Sequence, residues 1–234
     1  MDGLKHISPI LLGIFLSISS PSFSANYDAI NHYNEKLLAE ENQCWQQFEK
    51  IGIYQDSLLA PYFKEAQRYQ TNFDFPKVDL PQETLTLFYR AMSDFGINPR
   101  SISIVGSETD SPLGTRSFSL FVNKEVFLRF SAPAQLFLIA HEIQHIIYKD
   151  NSFCHFLENT VKNGKINADA PVCAYLRFTE LRADIKAATF SREYAQGYVA
   201  FIQEMIASRG DTNGITHPKN SDRLNLAREI LAAI

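Results

Sequence analysis

LFLIAHEIQHII, the stretch from Leu136 to Ile147, determines how the rest of the sequence is interpreted. It holds the pattern H-E-x-x-H inside an apolar run that is typical of a buried helix. On a helix, His141 and His145 lie one turn apart on the same face, so both imidazoles can reach one metal ion. Glu142 lies about 100° further round, where its carboxylate can reach a water bound to that ion. The pattern indicates a zinc site, although two ordinary histidines beside a solvated glutamate would give the same letters.

A third ligand is expected on another helix, because a hydrolytic zinc site takes three protein ligands and leaves one position for water. Glu180, in the stretch ELRAD at residues 180–184, is the candidate. Asp184 follows one turn later and could accept the remaining N–H of a ligating histidine. An ordinary charged helix face explains these two residues equally well when they are taken alone.

A histidine before a proline forms the next feature, in Thr216-His217-Pro218. In a loop between helices, His217 is placed to donate a hydrogen bond to a developing oxyanion. By itself it is equally compatible with an ordinary loop histidine.

Taken in order, HEIQH, ELRAD and THP followed by Arg223 resemble the gluzincin metallopeptidases of the HtpX, CAAX-prenyl-protease and mitochondrial OMA type. The resemblance covers residues 102–228 and implies a zincin-like fold with one zinc ion per chain. The implied roles are zinc ligation by His141, His145 and Glu180, acid/base catalysis by Glu142, orientation of a ligand histidine by Asp184, oxyanion assistance by His217, and pairing by Arg223 that holds the site together. The transmembrane helices of HtpX-like members have no counterpart here, so the soluble exported members are the better match.

The strand beside the site departs from the family, whose members often carry Asn-Ala and then a glycine-rich turn. This chain has SFSLF at residues 117–121, with VNK as the turn. We expect an extended substrate to pair with the strand at 116–121 by β-augmentation. Ser117, Phe118 and Ser119 are therefore the predicted substrate-binding residues.

Hydrophobic periodicity predicts an α+β fold that is mostly helical, with a small antiparallel sheet beside the HEIQH helix. Predicted helices cover 27–54, 57–69, 81–96, 131–149, 172–188, 191–208 and 224–234. Predicted strands cover 101–105, 116–121 and 125–130, the last two as a hairpin through 122–124, while 106–115 and 151–167 are expected to be irregular. Ser131 is expected to cap its helix, with Pro133 in the first turn. Residues 25–100 then form an N-terminal helical region, and 101–234 form the zinc metallopeptidase core.

The first 24 residues have the layout of a secretory signal peptide, with one lysine, an apolar run and small residues before Ala25. The apolar run is shorter than the roughly 20 residues that span a bilayer. An uncleaved anchor or a buried N-terminal helix is the alternative. We expect an exported chain, periplasmic or secreted, with no transmembrane segment after cleavage.

Composition and cysteine content exclude some classes of protein and predict a disulfide. The net charge of −4 lacks the basic footprint of a nucleic-acid-binding protein, and 45% hydrophobic residues argue against disorder. The chain has three cysteines, which in an oxidising compartment predict one disulfide, with Cys154 and Cys173 as the favoured pair. A metal site formed by Cys154, His155 and Cys173 is a weaker alternative.

These features together predict an exported zinc-dependent endopeptidase that hydrolyses unfolded or envelope proteins. A zinc-containing, chaperone-like protein that binds peptides with little or no proteolysis is the alternative. A metal-free structural module, or a secreted effector with one narrow substrate, also remains open.

Overall fold

The computed structural model describes residues 27–55, 57–58, 62, 77–116, 118–163, 169–212 and 217–234. The signal peptide predicted at 1–24 lies outside these residues, as does most of the helix predicted at 57–69. Within the described ranges, no helix combines the length and the apolar character that crossing a bilayer requires.

The described chain is mostly helical with one small sheet, which confirms the predicted α+β class. The helices are α1 (Tyr27–Glu49), α2 (Gln82–Asp94), α3 (Lys124–Phe127), α4 (Ala132–Tyr148), α5 (Asp150–Asn163), α6 (Asp169–Ala188), α7 (Arg192–Arg209) and α8 (Asn220–Ala233). The strands are β1 (Ser103–Gly106), β2 (Leu113–Arg116) and β3 (Ser119–Val122).

α4 carries the H-E-x-x-H pattern and is buried along nearly its whole length, from Ala134 to Ile146. It begins after Ser131, whose backbone is extended, and has Pro133 in its first turn as predicted. Ser131 does not cap the helix with its hydroxyl, however. Its backbone N–H donates to Glu204 over 3.0 Å, and its hydroxyl donates to the same carboxylate. A helix that is apolar all round must be enclosed, and the neighbouring helices enclose it.

The closest neighbour of α4 is α7, and a glycine makes their approach possible. A Cβ on Gly197 would lie 2.9 Å from the Cβ of Phe137 and closer still to the carbonyl oxygen of Pro133. Next to this contact the ring of Tyr198 stacks on Phe137, with centroids 4.4 Å apart. α6 and α2 pack against other faces of α4, and α8 packs against α7.

The N-terminal helix α1 shares the core of the rest of the chain. Trp45 packs against the rings of Tyr175 on α6 (5.4 Å between centroids) and Phe153 on α5 (6.2 Å). The described part of the N-terminal helical region therefore packs on the catalytic half that the sequence predicts, within one hydrophobic cluster.

The sheet differs from the prediction in both membership and direction. Its order is β1-β3-β2, with β1 parallel and β2 antiparallel to β3, so it is mixed and not purely antiparallel. β2 lies in the expected loop at 106–115, and the second strand of the expected hairpin, 125–130, is largely helix α3 and its flanking turn. The side chain of Asn123 explains the second error, because it caps α3 by accepting from the N–H of Val126 over 3.2 Å.

The segment expected to be irregular at 151–167 is helix α5 as far as Asn163. Its buried residues Phe153, Phe156 and Leu157 follow a helical spacing that the sequence interpretation missed. The disulfide predicted between Cys154 and Cys173 is not formed. These two cysteines lie within helices α5 and α6. The prediction had instead placed them on either side of a loop.

Candidate metal centre

The two histidines of α4 point their Nε2 atoms at the same place. The Nε2 atoms of His141 and His145 are 3.1 Å apart, and both side chains are buried. This is the geometry that a spacing of four residues on a helix produces.

Glu180 of α6 completes the group. Its Oε2 lies 3.2 Å from Nε2 of His141 and 3.5 Å from Nε2 of His145. Zinc bonds of about 2.0–2.1 Å in a tetrahedral site place neighbouring ligand atoms about 3.3 Å apart. The three observed separations therefore fit one zinc ion held by two imidazoles and a carboxylate.

No second group of this kind occurs in the described part of the chain: these three residues alone bring histidine, cysteine or carboxylate atoms close enough to share an ion. The alternative site from Cys154, His155 and Cys173 is thus not formed there. A metal ion could be held by His141, His145 and Glu180, and two nitrogens with one carboxylate oxygen are a common ligand set of catalytic zinc.

Each histidine is held from behind by an aspartate. Nδ1 of His141 lies 2.9 Å from Oδ1 of Asp184, and Nδ1 of His145 lies 2.9 Å from Oδ2 of Asp150. A carboxylate on Nδ1 keeps the proton on that nitrogen and leaves Nε2 with a lone pair for a metal. Asp184 was expected in this position, whereas Asp150 was not.

Asp184 is bonded on all sides. Arg223 of α8 donates through Nε to Oδ2 (2.9 Å) and through Nη2 to Oδ1 (2.9 Å), and the hydroxyl of Tyr198 donates to Oδ2 over 2.6 Å. Burial alone would raise the pKa of Asp184, but the charge of Arg223 and the bond to His141 outweigh burial and hold it well below the usual range. Asp184 is therefore an anion, and Arg223 lies where the sequence resemblance implied a pairing residue.

Asp150 is the functional candidate that sequence reasoning missed. It is the first residue of α5, and Arg182 of α6 donates to its other oxygen, Oδ1. The guanidinium of Arg182 lies over two rings, 4.2 Å from the centroid of Tyr148 and 4.9 Å from that of Phe178. Finding Asp150 required knowing that α4 ends at Tyr148 and that the chain reverses at Lys149, which has a left-handed backbone (φ 57°, ψ 32°).

The charges of the metal ligands are tightly coupled. Burial alone would lower the pKa of His141, but its hydrogen bonds to Asp184 and Glu180 outweigh burial and raise the pKa to about 9. Burial alone would raise the pKa of Glu180, but its contacts with three histidines hold it well below the usual range.

Glu142 lines the same cleft without joining the ligand group. Only 8% of its surface is exposed, and burial raises the pKa of its carboxyl. A carboxyl with a raised pKa beside a hydrolytic metal is suited to accept and return a proton near neutral pH.

His217 lies on the segment before α8, with its Nε2 2.8 Å from Oε2 of Glu180. Pro218 lines the cleft beside it, and Thr216 lies outside the described residues. The structure thus brings His217 to the candidate metal centre, as the sequence interpretation expects.

These side chains lie in a cleft of about 470 Å³ between the sheet and helices α7 and α8. Its sheet wall is β2, through Leu113, Gly114 and Thr115. The ladder runs with Thr115 opposite Leu120, and the N–H of Asn123 donates to the carbonyl of Pro112 over 3.1 Å. Hydrogen-bonded pairs alternate along an antiparallel ladder, so Leu113 and Thr115 direct their N–H and C=O groups to the unpaired edge.

The substrate strand predicted at 116–121 is not available for pairing. Ser119 begins β3, which is the central strand and is paired on both edges. Ser117 lies outside the described residues, and neither Phe118, which is 42% exposed, nor Ser119 is among the described residues that line the cleft. Among the described residues, the unpaired edge that borders the cleft belongs to β2, most of which lies in the segment predicted as a loop at 106–115.

Comparison with known proteins adds no neighbour: no family model matches the chain, and no curated protein or solved structure does.

Proposed function

We propose that this protein is a zinc-dependent endopeptidase of the gluzincin type, with polypeptides as its substrates. The observation that carries the proposal is the placement of Glu142 beside the group formed by His141, His145 and Glu180, in a cleft bordered by the unpaired edge of β2. A site that only bound metal would not need a buried carboxyl beside it.

A zinc ion held by His141, His145 and Glu180 would supply a Lewis acid and would lower the pKa of a coordinated water to about 7. Glu142 takes a proton from the attacking water and later gives it to the leaving amine. His217 donates a hydrogen bond to the oxygen of the scissile carbonyl as charge develops there. Asp184 and Asp150 keep the two ligand imidazoles in the required tautomer.

An extended substrate pairs with the unpaired edge of β2, through the main-chain groups of Leu113 and Thr115. This is β-augmentation, in which main-chain hydrogen bonds give affinity and side-chain pockets give selectivity. It suits a protease of unfolded or envelope proteins, because an unfolded chain has its main chain free to pair. Export to the periplasm or beyond is the matching location, proposed from the signal-peptide pattern of residues 1–24.

The first experiment compares cleavage of casein by the chain from Ala25 onward with cleavage by its Glu142→Gln variant. Zinc content is measured in both proteins, because the glutamine is not a ligand and should leave zinc bound. We expect cleavage to fall by about a thousandfold or more in the variant, since a glutamine can neither take the proton from the attacking water nor give it to the leaving amine. Equal cleavage by both proteins would identify a contaminant and contradict the proposal.

The same pair of proteins tests the peptide-binding alternative. A chaperone-like protein would hold casein without cleaving it, and the Glu142→Gln variant would then suppress casein aggregation as well as the parent does. A metal-free module would keep one melting temperature with and without chelator, whereas a metal that binds the folded state must raise it.

A further inference from the structure

The first turn of α5 touches the sheet wall of the cleft as well as the metal centre. Asp150 bonds His145, and the next residue, Asn151, donates from Nδ2 to the main-chain carbonyl of Thr115 over 2.7 Å. Nδ2 of Asn151 also contacts the hydroxyl of Thr115. Asn151 is exposed and lines the cleft.

This carbonyl is one that a paired substrate would use. Thr115 directs its main-chain groups to the unpaired edge of β2, and in β-augmentation an incoming peptide N–H donates to such a carbonyl. The side-chain amide of Asn151 already makes that bond, in the way a peptide N–H would. Leu113 is the other outward residue, and within the described residues its carbonyl accepts a bond from the hydroxyl of nearby Ser111, over 2.6 Å.

We propose that Asn151 is a specificity-determining residue that ends substrate pairing at Thr115. A bound peptide pairs with the main chain of Leu113 and reaches the N–H of Thr115, but it finds the Thr115 carbonyl occupied and leaves the sheet there. The substrates are therefore peptides whose extended part is short on this side of the cleft. The inference rests on the proposed function, because it assumes that peptides bind along β2.

Asn151 and Asp150 are adjacent in the first turn of α5. One helical turn therefore both ends substrate pairing, through Asn151, and orients His145, through Asp150. The distance between the end of the paired segment and the metal centre is therefore set within α5. This gives a fixed register between the paired main chain and Glu142, and cleavage at a constant distance from the point where the substrate leaves β2.

An N-methyl scan tests the inference through binding alone. The probe is a short fluorescent peptide from a casein site that the wild-type protein cleaves, and anisotropy measures its binding to the zinc-loaded Glu142→Gln protein. Each peptide in the scan carries one methylated main-chain nitrogen and therefore lacks one N–H donor. With Asn151 present, the nitrogen opposite Thr115 should be insensitive to methylation. With Asn151→Ala added, methylation there should weaken binding by about two- to tenfold, the value of one neutral hydrogen bond.

Asn159→Ala is the matched control, because it removes an asparagine amide from the same helix, α5, where that amide contacts His155 and does not line the cleft. Its scan should equal that of the Glu142→Gln parent. Identical scans with and without Asn151 would overturn the inference while leaving the proposed function intact. If neither protein bound the peptide despite full zinc content, the proposed function would fail and the inference with it.

Discussion

Two aspartate–arginine pairs lie behind the candidate metal centre, and they differ in how they are anchored. Asp184 receives hydrogen bonds from His141, Tyr198 and both ends of the Arg223 fork. Asp150 receives bonds from His145 and one nitrogen of Arg182. The Arg223 guanidinium also lies over the rings of Tyr198 and Phe201, but at 5.9 and 5.8 Å from their centroids.

The second pair has fewer hydrogen bonds, and its aromatic rings lie closer to the guanidinium. Nε of Arg182 is buried and has no hydrogen-bond partner within the described residues, while the guanidinium lies over Tyr148 and Phe178. Glu41 of α1 adds a favourable electrostatic interaction with the same guanidinium. One metal centre thus uses the same chemistry twice with different supports. We expect loss of the Asp184 pair to lower both folding stability and metal affinity strongly, and loss of the Asp150 pair to lower both by smaller amounts.

The sharpest test of this difference is Asp184→Ala. Removing the carboxylate leaves Arg223 buried without its ion-pair partner, and such a loss costs about 3–5 kcal/mol of unfolding free energy. Urea unfolding of the zinc-free protein measures it. Asp150→Ala should cost clearly less, because Glu41 and the two rings still face Arg182. Equal losses would contradict the comparison.

The pH dependence of zinc binding is the next largest effect. The pKa of His141 is raised to about 9 in the metal-free protein, above its unfolded value of 6.5. The stability that this proton contributes is therefore present below about pH 6.5 and is lost as the pH rises through about 9. Zinc requires the unprotonated imidazole, so zinc affinity should rise by about tenfold per pH unit for each proton displaced as the pH approaches 9.

Competition with a chromophoric chelator of known pH dependence measures this zinc affinity. In Asp184→Asn the rise of zinc affinity with pH should end at a lower pH, because the substitution removes the charge that holds the proton on His141. An affinity that stayed flat between pH 6 and 9 would contradict the raised pKa of His141.

Asp150→Asn should weaken zinc binding by about tenfold, at the low end of the range for groups that orient a ligand histidine. The amide oxygen can still accept from His145, but its negative charge is lost. The loss of zinc affinity in Asp184→Asn should approach the upper end of that range, about a hundredfold, because Asp184 accepts more hydrogen bonds that the substitution disturbs. Isothermal titration of both variants decides the order, and a larger loss in Asp150→Asn would reverse the comparison.

The smallest effect concerns the junction that places Asp150. Lys149 has a positive φ, which costs a residue with a Cβ about 1 kcal/mol. Lys149→Gly should therefore stabilise the protein by about 0.5–1 kcal/mol. Lys149→Ala is the control, since alanine keeps the Cβ and should give no gain. Thermal unfolding distinguishes them, and equal melting temperatures of the two variants would refute the strain at this residue.

The sequence predicted the site residues that share a helix and its spacing. It did not predict a residue whose position depends on how one helix ends and the next begins. His141, His145 and the bounds of α4 followed from helical spacing and from Pro133, and Glu180 followed from the need for a third ligand. Asp150 could not be found in this way, because a glycine is the usual residue where a helix ends in a left-handed turn and the chain has Lys149 there.

The sheet was harder to predict for a related reason. β2 is only four residues long and includes Gly114, so its pattern does not rise above that of a loop. The segment at 125–130 contains a short apolar run that suits a strand and a helix equally, and the capping bond from Asn123 decides between them. The sequence alone does not show that the N–H of Val126 donates to this side chain.

The tight junction at Lys149 also sets an order of assembly. His145 and Asp150 are five residues apart, so closing their contact involves almost no loop, whereas His141 and Asp184 are separated by 43 residues. By loop-closure entropy the longer contact costs about 2 kcal/mol more to close. During folding, the His145 half of the centre therefore forms locally at the junction of α4 and α5, and the His141 half is completed only when α6, α7 and α8 have docked.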